Sequence, residues 1–361
     1  MRRVVIALLG RRDEPTDALE EYCNYLGGAL RTHDIQLEIC RVPWNVTGWN
    51  DALQALRAKA VSWNGTWVLV QYTALAWSAR GFPYRIFRVL KILRRVGARI
   101  AVVFHDVEPY HGTRLIDACR RAIQTLTMRR VARFAELAIF TVPTEKLSWT
   151  PRDVRAAFIP VGPNLPIPTE LSISRNEIQV PAIGVFSITG GEPGARETGL
   201  IISAVRHAVD QVGPVRLSVF GRHAELREVE LRRGLEGLPV DVSVEGVIEP
   251  SEVVTRLCSC DVLFFVRGGI SSRRGSAIAG IACGLPLIAF SGSETAAPIT
   301  DAGVILVSPN APQELNSALV RVLRDPAYRF ELASRSRDIY LAHFAWTVIA
   351  ARYADLLRSL P

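Results

Sequence analysis

Short apolar runs that alternate with amphipathic stretches constrain the fold of this chain more than any other feature of its sequence. In the first half, such runs predict β-strands at residues 4–9, 36–40, 67–72, 99–104, 137–142 and 157–160. Between them, the pattern predicts helices at residues 17–31, 49–60, 85–96, 115–134 and 151–154. This alternation is typical of a doubly wound parallel α/β sheet, in which helices cover both faces.

A proline-dense segment then interrupts the alternation. Residues 160–168 have prolines at 160, 163, 166 and 168 and no periodicity, which is typical of a linker. Beyond it, strands are expected at residues 182–187, 215–220, 240–245, 262–266, 285–290 and 303–307, and helices at 311–323, at 327–342 and up to residue 360. We therefore expect a first domain over 1–163, a linker over 164–181 and a second domain over 182–342.

The charge balance favours an anionic partner. The 361 residues carry a formal net charge of +8, and 49% of them are hydrophobic, which is enough for two cores. A basic balance suits a nucleotide, a phospholipid surface or a nucleic acid without choosing among them. The cysteines are scattered, without metal-ligand or disulfide spacing, which favours reduced thiols in a cytosolic protein. The apolar start is too short for a signal peptide, and no run reaches the roughly 18 apolar residues of a membrane span.

The segment from Asp261 to Phe290 is the main candidate for a ligand site. It predicts a buried strand, a loop rich in Gly, Ser and Arg, a helix of small residues and a second buried strand. Free amides and the helix dipole at such an N-terminus attract phosphate, and arginine adds bidentate hydrogen bonds. The residues expected to form this anion site are Ser272, Arg273, Arg274, Gly275 and Ser276. The alternative is a solvated basic loop in which Ser276 caps the helix.

Further candidate residues end other predicted strands. Gly190 and Gly191 follow a strand and can let the backbone approach a phosphate, although glycine pairs are common in loops. His105 and Asp106 end a strongly apolar strand, where their side chains can enter a site. The histidine is either a site residue or an ordinary structural histidine, and Asp106 is either a site residue or one that orients a loop.

A basic face marks the helix predicted at residues 85–96. Arg85, Arg88, Lys91 and Arg95 recur at steps of three and four residues. This face is either solvated or attracted to anionic lipid headgroups, and we favour a peripheral contact with the inner leaflet of a membrane. Tryptophans in the same half are either interfacial anchors or core residues: Trp44, Trp49, Trp63, Trp67 and Trp77.

Several segments in a common order carry a family likeness. In the second half they are 215–222, which ends in a Gly-Arg turn, then 244–248, 260–264 and the block at 282–289. In the first half they are the strand that ends in His105-Asp106 and the turns at 144–145 and 159–164. Together they resemble, over nearly the whole chain, the retaining family-four type (glycosyl transferases group 1) of GT-B glycosyltransferases.

The resemblance implies two Rossmann-like domains in tandem with an interdomain cleft. The N-terminal domain would bind the acceptor, with the closing segment 343–361 packed back on it, and the C-terminal domain would bind a nucleotide-sugar donor. Gly246 and Val247 would face the nucleobase, and His105 would border the donor sugar. A retaining reaction of this kind needs no protein base, because a phosphate oxygen of the donor can accept the proton.

The chain departs from the family pattern in its charged residues. The family's paired glutamates correspond to Ser271 and Ala279, and its lysine on the first donor-domain loop corresponds to Thr198. We infer that the phosphate charge is met instead by Arg273 and Arg274, with Arg196 or Arg222. Glu294 is either a substitute ligand for a sugar hydroxyl or an acid on a surface turn.

The leading interpretation is a glycosyltransferase that moves a sugar from a nucleotide-diphosphate sugar to a glycan or lipid-linked acceptor, without a metal ion or other cofactor. The vacant acidic positions motivate an alternative, a catalytically silent nucleotide-sugar-binding or scaffold protein of the same fold. Nucleic-acid binding rests on charge alone, and a dinucleotide oxidoreductase would need a Gly-x-Gly-x-x-Gly turn that is missing here. We expect a cytoplasmic protein with a peripheral contact to the inner face of the cell membrane.

Overall fold

The computed structural model describes residues 3–110, 112, 114–168 and 180–359. It contains two compact units. The first comprises the chain up to Pro160 together with the chain from Trp346 onward, and the second runs from Val161 to Ala345. Most of the expected linker, 164–181, lies outside the described residues.

The first unit is built around a six-stranded sheet whose strand pairs are all parallel. Its strands are β1 (Arg3–Leu9), β2 (Ile35–Arg41), β3 (Trp67–Tyr72), β4 (Arg99–Phe104), β5 (Leu137–Phe140) and β6 (Ala156–Phe158). Its helices before the second unit are α1 (Ala18–Leu30), α2 (Trp44–Thr47), α3 (Trp49–Ala60), α4 (Ile86–Arg95) and α5 (Leu115–Phe134). The strand order is β2-β1-β3-β4-β5-β6, so the direction of winding switches between β1 and β3.

The core of the first unit explains its tryptophans. Every residue of β3 is buried, as expected for a central parallel strand that is covered on both faces. Four tryptophans are at most 8% exposed: Trp44, Trp63, Trp67 and Trp77. The Trp67 indole N–H donates to the carbonyl of Leu357 at 3.2 Å, the kind of partner that a buried indole needs. These four are core residues, and the interfacial-anchor interpretation is wrong for them.

The second unit repeats the architecture with its own six-stranded parallel sheet. Its strands are β7 (Ala182–Phe186), β8 (Val215–Phe220), β9 (Val240–Glu245), β10 (Val262–Gly269), β11 (Leu287–Phe290) and β12 (Val304–Val307). Its helices are α6 (Gly191–Val212), α7 (Glu228–Gly234), α8 (Pro250–Cys258), α9 (Gly275–Ala282), α10 (Glu314–Arg324) and α11 (Pro326–Ile339). The strand order β12-β11-β10-β7-β8-β9 places the switch in winding between β7 and β10. Ligands of open parallel sheets bind at the carboxyl ends of strands beside such a switch.

A last helix, α12 (Trp346–Arg358), belongs to the first unit and packs against α1. The Trp346 ring stacks on Tyr25 at 5.8 Å between centroids and meets Tyr22 edge-on at 5.2 Å. The hydroxyl groups of Tyr22 and Tyr353 are hydrogen-bonded at 2.9 Å in a fully buried position. Burial raises the pKa of both phenols, so both stay protonated and each can donate as well as accept.

The doubly wound α/β fold with two Rossmann-like units is confirmed. The expected strands are all formed, with ends that differ by a few residues, and β10 continues through a bulge to Gly269. The helix expected at 151–154 is wrong: residues 152–154 form a turn and a bend, as is common for so short a segment without a costly helix nucleus. Among the described residues, no helix is long and apolar enough to cross a membrane.

The tyrosine pair gives a stability prediction. Tyr353→Ala should lower the free energy of unfolding of the first unit by about 3–5 kcal/mol, since it empties a buried aromatic site. Tyr353→Phe should cost about 1–3 kcal/mol, because it leaves the Tyr22 hydroxyl without its partner. Urea unfolding followed by tryptophan fluorescence measures this unit alone, because all 7 tryptophans lie in it.

Tyr84→Ala is the matched control for this pair. Tyr84 is 57% exposed, so its loss should stay within about 0.5 kcal/mol. An equal effect of Tyr353→Ala and Tyr84→Ala would contradict a stabilising role for the packing of α12 on α1.

Candidate functional site

The turn between β10 and α9 is held against the loop after β11. The Ile270 N–H donates to the Phe290 carbonyl at 2.9 Å. Gly269 approaches Gly292 so closely that a side chain on Gly269 would meet the Gly292 backbone at 2.7 Å. Ser271, which follows directly, is fully buried. Glycine at both positions lets two loops at the carboxyl edge of the sheet touch backbone to backbone.

A buried carboxylate links these two loops. Glu294, in the loop after β11, is 6% exposed, and its Oε2 accepts hydrogen bonds from Ser271 Oγ at 2.9 Å and Arg273 Nε at 2.7 Å. Its other oxygen, Oε1, is buried and has no hydrogen-bond partner among the described residues. Glu294 is therefore not an acid on a surface turn. It holds a carboxylate beside Ser271, the position that corresponds to a family glutamate.

The pairing with Glu294 changes what Arg273 can do. The Arg273 side chain is 17% exposed, and its Nε already donates a hydrogen bond to the Glu294 carboxylate. Part of its charge is therefore neutralised inside the protein, and its capacity to hold a phosphate is lower than the sequence interpretation assumed. Its evident structural role is to orient the Glu294 carboxylate.

Helix α9 begins two residues earlier than a cap at Ser276 would require. Arg274 is the N-cap residue, and no side chain caps the helix. Gly275 and Ser276 form the first turn and are half-buried, while Ser272 is buried. The alternative in which Ser276 caps the helix is therefore wrong. Amides of the first turn are free of side-chain caps, as an anion site requires.

The loop after β7 forms the neighbouring part of the same edge. Gly190 is the N-cap of α6, without a side-chain cap, and Gly191 has φ = 69°, a conformation that favours glycine. Arg196 is exposed on the helix surface. Thr198 is fully buried and donates its hydroxyl to the Gly194 carbonyl at 2.8 Å. The position of the family's lysine thus holds a side chain that is turned into its own helix.

The loops after β8 and β9 complete the edge. The Arg222 carbonyl accepts a hydrogen bond from the Ile188 N–H at 3.0 Å, which ties the loop after β8 to the loop after β7. The Gly246 carbonyl accepts one from the Gly221 N–H at 2.9 Å, and Val247 is 48% exposed. All the candidate donor-site residues of the second unit therefore lie at the carboxyl ends of its strands or within the first two turns of the helices that follow.

Sequence reasoning missed a further cation at this edge. Arg267 lies in the bulge of β10, and burial lowers the pKa of its guanidinium, with Glu197 acting to raise that pKa and Arg222 to lower it. Glu197 is 7% exposed and accepts a hydrogen bond from the Thr189 N–H at 2.8 Å. The sequence shows an arginine just before the Gly-Ser-Arg loop, but only the sheet order places this arginine beside the loops after β7 and β8.

In the first unit, His105 and Asp106 follow β4 at the carboxyl edge of the sheet. His105 Nε2 lies 2.8 Å from Oε1 of the fully buried Gln71. Gln71 Nε2 donates to the Leu69 carbonyl, so its Oε1 is the acceptor and His105 Nε2 is the donor. The ring also packs edge-on against Tyr22 at 4.9 Å. His105 is thus held in one orientation by two buried neighbours.

Asp106 lies in a cavity of about 390 Å³ formed by the loops after β3 and β4. Its Oδ2 accepts a hydrogen bond from the Ala74 N–H at 3.1 Å. The cavity lining also includes Glu108, the ring of Tyr110, and Arg80 and Arg120. A larger groove of about 530 Å³ between α1 and β2 lies away from both carboxyl edges. Asp106 thus both orients a loop and lines a cavity that also contains the carboxylate of Glu108.

The basic face of α4 is solvent-exposed, as expected from its spacing. Arg88, Lys91 and Arg95 are exposed, while Arg85 is half-buried with its guanidinium 5.7 Å from the Trp49 ring centroid. The four residues are therefore not equivalent. Among the described residues, no group of three or more His, Cys, Asp or Glu side chains is placed to hold a metal ion.

Comparison with known proteins matches part of the second unit to a family model. Residues 192–325 match the family model described as glycosyl transferases group 1. A curated relative from Corynebacterium glutamicum, a GDP-mannose-dependent monoacylated alpha-(1-6)-phosphatidylinositol monomannoside mannosyltransferase, is 26% identical over 140 residues. That match covers 37% of this chain and 37% of the relative.

Solved structures match over almost the whole chain. Sucrose-phosphate synthase from Thermosynechococcus elongatus superposes with a TM-score of 0.69 at 19% identity, covering 99% of both chains. Anabaena HepE, solved with UDP and glucose, gives a TM-score of 0.65 at 16% identity, covering 99% of this chain and 100% of that one. The fold is that of the GT-B proteins. Within that fold, residues 192–325 match the glycosyl transferases group 1 model, which confirms the resemblance for this part of the chain.

The ion pair at this site gives a testable energy. A double-mutant cycle with Arg273→Met and Glu294→Gln should yield a coupling energy of about 1–3 kcal/mol, because the pair is largely desolvated. Amide hydrogen exchange in β11 measures the stability of the second unit at the loop that carries Glu294.

The pair between Arg256 and Glu245 is the matched control. It has a hydrogen bond of 2.6 Å but is more exposed, so its coupling should be below about 1 kcal/mol. Equal coupling energies for the two pairs would contradict the desolvated character of the site.

Proposed function

We propose that this protein is a glycosyltransferase that moves a sugar from a nucleotide-diphosphate sugar to an acceptor. In this proposal the second unit binds the donor and the first unit, with α12, binds the acceptor. One observation carries it: a buried carboxylate with a free oxygen, Glu294 Oε1, lies beside the uncapped N-terminus of α9 at the carboxyl edge of a parallel sheet.

The chemistry that such an edge supports is electrostatic. When a nucleotide sugar reacts, its diphosphate leaves with increasing negative charge, and donors placed where that charge develops lower the barrier. We assign the diphosphate and sugar contacts to a set of backbone amides, hydroxyls and cations: Gly190, Gly191, Arg196, Arg222, Ser272, Arg273, Arg274, Gly275 and Ser276. Gly246 and Val247 are assigned to the nucleobase.

Glu294 supplies the carboxylate that Ser271 and Ala279 lack. Oε2 is occupied by Ser271 and Arg273, while Oε1 is left to accept a hydrogen bond. A buried acceptor without a partner costs free energy, and a ligand hydroxyl removes that cost. We therefore assign Glu294 Oε1 to a hydroxyl group of the donor sugar.

The acceptor site is assigned to the cavity that contains Asp106. The carboxylates of Asp106 and Glu108 can accept hydrogen bonds from sugar hydroxyls, and the Tyr110 ring, 51% exposed, offers a face to a sugar. His105 and Asp106 remain the proposed catalytic residues of this unit. The family resemblance favours retention of configuration, without a metal ion.

We further propose a hexosyl transfer to a lipid-linked or other cell-envelope acceptor at the cytoplasmic face of the membrane. The curated relative acts, by its name, on a phosphatidylinositol mannoside. The exposed Arg88, Lys91 and Arg95 of α4 support a contact with anionic headgroups, with Arg85 at its edge. A catalytically silent nucleotide-sugar-binding protein is the second candidate, because acids are absent from the family's paired positions.

Transfer and binding measurements separate these two candidates. The purified protein should release a nucleoside diphosphate from one of a panel of nucleotide sugars. Titration calorimetry should show that it binds that nucleotide sugar and the nucleoside diphosphate. Glu294→Gln should weaken nucleotide-sugar binding about 10- to 100-fold, the value of a hydrogen bond to a charged group, and leave nucleoside diphosphate binding unchanged. Asp106→Asn should raise the KM for the acceptor and not for the donor.

Two results would go against this proposal. Binding of nucleotide sugars without hydrolysis or transfer to any glycan or lipid acceptor would favour the silent binder. Equal losses of nucleotide-sugar and nucleoside diphosphate binding in Glu294→Gln would show that Glu294 supports the fold and does not contact the sugar.

Vesicle sedimentation tests the membrane contact. Replacing Arg88, Lys91 and Arg95 together by Gln should lower the affinity for vesicles of phosphatidylcholine and phosphatidylglycerol about 100-fold, at about 1 kcal/mol for each charge. The control replaces Arg206, Arg216 and Arg233, three exposed arginines of the second unit. Equal losses in both variants would attribute binding to net charge and reject α4 as the contact surface.

A further inference from the structure

Arg267 is half-buried, and the hydrogen bonding of its guanidinium within the protein is incomplete. Its Nε is buried and has no hydrogen-bond partner among the described residues. A buried polar group without a partner loses its hydration and forms no hydrogen bond that offsets this loss. For a charged group the cost is larger, and arginine stays charged at neutral pH, so it cannot escape the cost by releasing its proton.

Charged side chains of both signs lie near Arg267. Glu197 is the acidic neighbour that favours its charged form, and Arg222 is a basic neighbour that opposes it. Glu197 also accepts the Thr189 N–H with its Oε2. An anion bound between the two arginines would relieve their mutual repulsion.

The sheet topology places this charge at the switch in winding. Arg267 lies near the end of β10 and Arg222 follows β8, and β7 lies between these strands in the sheet. The loop after β7 contains Gly190 and Gly191 and leads into the N-terminus of α6, where the N-cap residue makes no side-chain cap. His223 Nε2 lies close to this loop, at 3.4 Å from where a side chain on Gly190 would begin. Two arginines and a set of helix N-terminal amides thus lie at neighbouring strand ends along one edge of the sheet.

Arg267 differs in this respect from Arg273. Arg273 Nε donates a hydrogen bond to Glu294, so the protein itself neutralises part of the Arg273 charge. The Nε of Arg267 has no hydrogen-bond partner among the described residues. The residue lies in a β-bulge, an irregularity that often changes the direction of a side chain next to an active site. A partly desolvated guanidinium stabilises an anion more strongly than a fully exposed one does.

We infer that Arg267, together with Arg222, is the principal ligand of the donor's diphosphate group, and that the pair replaces the basic residue that Thr198 cannot provide. This inference rests on the proposed function for the identity of the ligand, a nucleoside diphosphate. The anion site itself rests only on the second unit. In this arrangement Arg267, near the end of β10, binds the diphosphate, and Glu294, in the loop after β11, binds the sugar.

Titration calorimetry with UDP, GDP and inorganic pyrophosphate tests this assignment. Arg267→Met keeps the length and the apolar stem of the side chain and removes its charge. It should weaken binding of pyrophosphate, and of whichever nucleoside diphosphate binds, about 10- to 100-fold, as expected for a charge-assisted hydrogen bond. The control is Arg216→Met, which removes an exposed arginine at the opposite end of β8 and should change affinity less than about threefold.

The thermal stability of the ligand-free protein separates a ligand-binding arginine from one with only a structural role. Because the buried Nε of Arg267 has no hydrogen-bond partner among the described residues, removal of this side chain should leave the calorimetric unfolding midpoint of the second unit unchanged or raise it. A fall of more than about 2 °C would identify Arg267 as a structural partner of Glu197 and overturn the assignment.

The binding outcomes distinguish this inference from the proposed function. Nucleoside diphosphate binding that survives in Arg267→Met would overturn the role of Arg267 and leave the glycosyltransferase proposal standing. Pyrophosphate binding that depends on Arg267, in a protein that binds no nucleoside diphosphate, would support the anion site and remove the proposed donor. No binding of any of the three probes by the unchanged protein would overturn both.

Discussion

The buried carboxylate of Glu294 is the interaction on which the proposed donor site depends. It joins the loop after β11 to the loop after β10, because one of its oxygens accepts from Ser271 and from Arg273 at once. An ion pair in this position adds little net stability, since each partner loses its hydration. Its effect is positional: it fixes two loops at one edge of the sheet and leaves the second carboxylate oxygen available.

The same edge holds charged groups at other positions than the family pattern has them. The family's acidic and basic positions hold Ser271, Ala279 and Thr198, and two of these side chains, Ser271 and Thr198, donate hydrogen bonds within the unit. In the proposed site, the carboxylate comes instead from Glu294, in the loop after β11, and a guanidinium from Arg267, in the bulge of β10. Parallel strands make this exchange feasible, because all their carboxyl ends lie along one edge and neighbouring loops reach the same crevice.

In the first unit, the orientation of a site residue depends on the chain's last helix. His105 is held by Gln71 and by the edge of Tyr22, and Tyr22 is in turn held by Trp346 and by the hydroxyl of Tyr353. Each contact is buried and aromatic or hydrogen-bonded, which limits the rotamers that the next side chain can adopt. The C-terminal helix, far away in sequence, thus supports the carboxyl edge of the first sheet.

The sequence alone determined the class of fold and most of the strands, because buried parallel strands are continuous apolar runs and their period can be read locally. It also located the loop after β10 and the exposed face of α4, since both are continuous segments with a regular composition. It could not separate the functions of neighbouring arginines. Arg273 and Arg267 lie six positions apart and look alike in the chain, yet one is paired with Glu294 and the other has a buried Nε without a partner. That difference was decided by the tertiary structure alone, because the desolvation and pairing of a charge depend on which strands the fold makes neighbours and not on which residues adjoin it in sequence.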